Sequence, residues 1–144
     1  MRSKLFLRIA AGLILLHAVL HTLGHSGWKT NPDTVYQEVV KQMTGNTFPF
    51  MGVTRSISEY YDGYGYCVTI ALLIIALILW FISDGTSQNS ALVKNISWTL
   101  AFGLLAWGID ELLFFFPFAA GITLTASALI FISGFLNTRT QSSS

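Results

Sequence analysis

Charge is scarce in this chain. Asp, Glu, Lys and Arg make up 10% of its 144 residues, against about 25% in a soluble domain, which excludes a surface that faces water all round. The net charge of +1 leaves no field with which to hold a nucleic acid or an acidic substrate. A single cysteine, Cys67, excludes an internal disulfide framework and any cysteine-rich metal site. Beside an apolar run it reads as a small packing residue. None of the three prolines falls inside a long apolar run.

What the chain has instead is 53% hydrophobic residues and a mean hydropathy of +0.60. Four apolar stretches, 5–23, 65–82, 96–116 and 118–135, approach the ~20 residues needed to cross a ~30 Å hydrocarbon layer. In lipid the backbone must satisfy its own hydrogen bonds, and separate runs of this length do so as helices. The expected fold is all-α: a single integral membrane domain, a four-helix bundle with a short amphipathic helix in its first extracytoplasmic loop, 24–64. The basic start and apolar middle of "MRSKLFLRIAAGLILL" also describe a signal peptide. No small-x-small cleavage site follows, so the segment reads as a permanent span. The polar tail 137–144 is expected to be disordered.

Orientation follows from the basic residues. Arg2, Lys4, Arg8, Lys94 and Arg139 fall on one side of a four-span layout. Lys29, Lys41 and Arg55 fall on the other, diluted by Asp33, Glu38, Glu59 and Asp62. Because cytoplasmic flanks are enriched in Lys and Arg, both termini are expected in the cytoplasm. Within the outer loop, "NPDTVYQEVVKQMTG" spaces Val35, Val39, Val40 and Met43 as a helix does, with Gly45 as its stop. "NTFPFMGVTRSISEYYDGYGY" follows, and its tyrosines suit an interfacial aromatic belt.

All three histidines lie in "HAVLHTLGH", which closes the first apolar stretch. His17 and Asp110 each lie about six residues, ~9 Å, below the outer ends of their spans. His21 is nearer the surface and His25 is at it. Arg55, Glu59, Tyr60, Tyr61 and Asp62 enter from the loop just before the second span, so with His21 they form the expected ligand-binding rim. Ionisable residues inside spans face the bundle interior and pair with one another. Of the two adjacent carboxylates, Asp110 shares a face with Gly103 and Ala106 and is expected to look inward. Glu111, ~100° away, shares a face with Leu104, Trp107 and Gly108.

Three chemistries fit these residues. A buried carboxyl beside an imidazole can exchange a proton with it, so His17 with Asp110 or Glu111 would protonate or isomerise a hydrophobic substrate. The same pair also serves as a hydrogen bond that locks two spans, and packing and chemistry predict the same residues. A divalent transition metal is the third option, since His17/His21 and His21/His25 stand at i, i+4. One ion on all three would require a helix break, because His17 and His25 are ~12 Å apart along an intact helix. No compact metal motif is present.

"HAVLHTLGH" together with "MGVTRSISEYYDGYGY" resembles a family of small four-span bacterial membrane proteins. The resemblance implies a bacterial membrane location and carries over no catalytic residues. Two functional classes stay open. One is a site that binds, and transforms by proton transfer, a hydrophobic small molecule such as a lipid or quinone. The other is an accessory subunit of a membrane complex, in which the polar cluster only holds the bundle together.

Overall fold

The computed structural model describes residues 2–85 and 91–141. In chain order it has α1 (Arg2–Ser26), a 3-10 turn (Trp28–Thr30), α2 (Thr34–Gly45), β1 (Thr47–Phe50), β2 (Val53–Ser56), α3 (Ile57–Gly85), α4 (Ala91–Phe114) and α5 (Pro117–Gln141). Helices α1, α3, α4 and Pro117–Leu136 of α5 are long and apolar enough to cross a membrane. The chain is therefore an all-α, multi-pass membrane protein. Helix α5 extends to Gln141, taking in part of the tail expected to be disordered. The polar link 86–90 and residues 142–144 lie outside the described residues.

Two compact units divide the chain. The first, Met1–His17 with Leu72–Ser144, is a four-helix bundle with one buried stripe per helix. On α1 the stripe is Ser3, Leu7, Ala10, Ile14 and His17; on α3 it is Leu72, Ala76, Leu79 and Ser83. On α4 it is Ser97, Ala101, Leu104, Gly108 and Glu111. On α5, Ala119, Thr123, Ser127, Ile130 and Ser133 are all buried. The three- and four-residue steps are those of one helix face. Small and hydroxyl side chains dominate because helices in lipid associate through close approach and interhelical hydrogen bonds. Ser127 Oγ donates to the Ala101 carbonyl at 2.7 Å, and the Ser3 and Ser133 hydroxyls are 2.6 Å apart.

The α4 stripe corrects the expected facing of the carboxylates. Glu111 is 5% exposed and Asp110 lies on the exposed face. The close approach between α4 and α5 is made at Gly108, where an added Cβ would sit 2.7 Å from Leu124. At Gly103, by contrast, the space is open. Gly108→Ala is therefore expected to destabilise by about 1–3 kcal/mol through overpacking. Gly103→Ala should be neutral or slightly stabilising, by the helix propensity gained. A detergent melt of both variants checks this; equal effects would contradict it.

The second unit, Ala18–Ala71, contains α2 and a β-hairpin. Asp33 caps α2 by accepting the Tyr36 N–H at 2.8 Å, and α2 packs on β2 through few contacts. Val40 is buried, whereas Val35 and Val39 are exposed. The strands pair antiparallel, with Phe50 opposite Val53. The two-residue connection, Met51 (φ 49°) and Gly52 (φ 87°), has positive φ at both positions, as a type I′ turn requires. Methionine is an unusual occupant there, so the segment carries no Asn-Gly signal from which a hairpin could be read. Ser56 and Glu59 then form a reciprocal cap for α3: the Ser56 N–H donates to Glu59 Oε2 at 2.7 Å, and the Glu59 N–H to Ser56 Oγ at 3.2 Å. A capping box of this kind satisfies two orphan donors at once.

Candidate functional site

In the bundle unit, three helices each bring one polar side chain to the same place. His17 ends the α1 stripe of this unit, Glu111 ends that of α4, and Thr123 stands on α5. Their exposures are 5%, 5% and 0%, so water supplies almost none of their hydrogen bonding. His17 Nδ1 lies 3.0 Å from Thr123 Oγ1. On the other side of the ring, Nε2 lies 3.4 Å from Glu111 Oε1. The imidazole thus bridges a hydroxyl and a carboxyl.

Two of the proton arrangements open to that bridge differ only in the place of one proton. In one, an imidazolium donates from both nitrogens, to Thr123 Oγ1 and to a Glu111 carboxylate. In the other, the carboxylic acid donates to Nε2 and the neutral ring donates from Nδ1 to Thr123. Moving one proton between Oε1 and Nε2 interconverts them without moving a heavy atom. The second carboxyl oxygen is a different matter. Glu111 Oε2 is buried and has no hydrogen-bond partner. The Thr123 hydroxyl and the Trp107 indole are hydrogen-bonding neighbours of the Glu111 carboxyl, and Oε2 itself is met by neither with full hydrogen-bond geometry. A buried polar atom without a partner costs about 1–3 kcal/mol.

The remaining residues expected at the site belong to the hairpin unit, and there they are built into its own packing. His21 Nε2 donates to the Gly65 carbonyl at 3.1 Å and His25 Nε2 to the Asp62 carbonyl at 3.2 Å. A carbonyl only accepts, so both rings carry their proton on Nε2. The two rings stack, parallel to within 2°. His25 is also flanked by Tyr61 and Tyr66, each at 5.4 Å between centroids. Asp62 receives the Trp28 indole N–H at 2.7 Å and Lys29 Nζ at 2.6 Å, which ties the 3-10 turn to α3. Tyr60 stacks on Phe48. Arg55 approaches Glu59 at 3.7 Å, and Glu59 is occupied in the α3 cap.

Among the described residues, no group of three or more His, Cys, Asp or Glu is placed to hold a metal ion. Of the expected acid–base residues, the structure joins His17 to Glu111 and leaves Asp110 exposed. Thr123 is the functional side chain that sequence reasoning missed. Its trace was present: Thr123, Ser127 and Ser133 are hydroxyls set in the last apolar run, where each needs a partner. The Ser56–Glu59 cap was likewise announced by the S-x-x-E pattern before an apolar run. Compared with known proteins, the chain matches no family model, no curated protein and no solved structure.

Proposed function

We propose that the chain provides an intramembrane hydroxyl–imidazole–carboxylate site that binds a hydrophobic small molecule of lipid or quinone type and exchanges a proton with it. Glu111 Oε2 carries this reading. Every other polar atom of the triad has a partner within the bundle, so a locking role alone is served by Oε1, His17 and Thr123. The unmatched oxygen is an acceptor waiting for a donor, and its setting in an apolar bundle favours a donor carried on an apolar molecule. The Lys and Arg distribution supports cytoplasmic termini, and the resemblance noted above supports a bacterial inner membrane.

A second reading, an accessory subunit, is favoured by the hairpin unit. Its tip presents Met51 at 88% and Phe50 at 53% exposure, an apolar knob suited to a partner protein. The two readings separate by experiment. With ¹⁵N-histidine protein in nanodiscs, decylbenzoquinol and dodecanol each offer a hydroxyl donor, and dodecane offers none. The donors are expected to shift the His17 ring ¹⁵N resonances in the wild type and to do so less in Glu111→Leu, while dodecane leaves them unchanged. Equal responses to alcohol and alkane, or no response to any probe, would reject the binding site in favour of the subunit.

A further inference from the structure

The connection between α4 and α5 contains no polar side chain. From Leu112 to Gly121 the chain reads LLFFFPFAAG. Leu112, Leu113, Phe114, Phe115, Phe116 and Phe118 are exposed by 54% to 74%. Connections between spans ordinarily reach water and are polar, and this one would present a continuous apolar fringe to it.

Two features of the turn reduce the number of its unpaired backbone groups. Pro117 has no N–H, which removes one of the donors that a helix start leaves bare. The Phe115 N–H donates to the Glu111 carbonyl at 3.0 Å, and the Ala120 N–H reaches the Phe116 carbonyl at 3.5 Å. Backbone at hydrocarbon depth survives only when its polar groups are satisfied or absent.

Length places the turn independently. Pro117–Leu136, 20 residues, measures about 30 Å at 1.5 Å per residue, the thickness of the hydrocarbon layer. On α4, Lys94 and Asn95 mark the polar end, and Ile96 to Phe114 measures about 27 Å. With that polar end held at the headgroups, both helices use the whole hydrocarbon thickness before they meet. The turn therefore does not clear the far edge.

We infer that the α4–α5 turn is embedded in bilayer hydrocarbon, with lipid chains as the occupant of its phenylalanine fringe. The distribution of exposure favours lipid over a protein partner. Successive residues from Leu112 to Phe115 point ~100° apart, so the fringe is bare around the whole helix end. A docked partner covers one face; a fluid apolar solvent covers all of them. The consequence for Glu111, one helical turn below Phe115, rests on the reading proposed above: a molecule dissolved among lipid chains arrives at its depth without crossing the headgroups.

Collision accessibility of a spin label tests the depth with no ligand present, so its outcome is separate from that of the alcohol titration. In full-length protein carrying Cys67→Ala, labels are placed by Phe115→Cys or Phe116→Cys and the protein is reconstituted in phosphatidylcholine vesicles. Phe102→Cys on the exposed face of α4 serves as the lipid reference and Lys41→Cys on α2 as the aqueous one. The turn labels are expected to match Phe102→Cys, colliding readily with oxygen and little with a nickel chelate. A nickel response like that of Lys41→Cys would place the turn in water and overturn the inference. An immobilised label shielded from both reagents would assign the fringe to a protein partner or a second copy, and would overturn it equally.

Discussion

His17→Ala is expected to be the most damaging histidine substitution in this chain, costing about 3 kcal/mol, the lower end for removing one member of a buried ion pair. The ring is 5% exposed and bonded on both edges, so its loss strands the Thr123 hydroxyl and Glu111 Oε1 together. Reversible unfolding in mixed micelles measures the cost, and a double-mutant cycle with Glu111→Ala apportions it. Hydrogen bonds between membrane helices average about 0.6 kcal/mol in such cycles and reach about 1.7. The expected coupling here exceeds about 1 kcal/mol, because either single change leaves a desolvated group behind and the double change leaves neither. A chelator should not alter it, since the pair is direct. Additivity within about 0.5 kcal/mol would show that the bridge contributes nothing as a unit. His21→Ala should cost less, because its ring is half-buried and the Gly65 carbonyl it releases keeps the Thr69 hydroxyl as a donor at 3.2 Å.

The second large effect concerns a glycine. A Cβ on Gly65 would run into the His25 ring, meeting several ring atoms rather than a flexible end, so the ring must leave its place. Departure breaks the bond to the Asp62 carbonyl, worth about 1 kcal/mol, and the contacts with the Tyr61 and Tyr66 rings, about 0.5–1.5 kcal/mol each. Alanine in a helix returns about 1 kcal/mol relative to glycine. Gly65→Ala is therefore expected to destabilise by about 1–3 kcal/mol net. In a His25→Ala background the ring is gone and only the propensity gain remains, so the same substitution should become neutral or stabilising. Thermal melts of the four proteins decide it. Persistence of the penalty in the double variant would mean that something other than the His25 ring needs the bare glycine.

These expectations divide what could be read along the chain from what could not. Four membrane-length helices and the amphipathic α2 were legible because each depends on composition and spacing within one segment. Runs of about 20 apolar residues have a single stable form in lipid, and no distant contact alters that. The relative level of His17 and the carboxylates along their helices was legible for the same reason, since a helix rises by a fixed amount per residue, and the structure pairs His17 with Glu111.

Rotation about the helix axis was not legible. Asp110 and Glu111 differ by ~100°, and the choice between them is made where Leu124 of α5 enters over Gly108, which turns Glu111 inward and leaves Asp110 outside. Thr123 becomes the third member of the site only when α5 is packed beside α1. The β-hairpin was hidden because its turn places Met51 at positive φ, a strain with no local signature that the surrounding pairing must sustain. The chain alone thus determined which segments are helices and at what level along them their polar groups stand, because those follow from local geometry and the solvent. Which groups face one another was decided by the tertiary structure, because facing is set by the shape of the neighbouring helix.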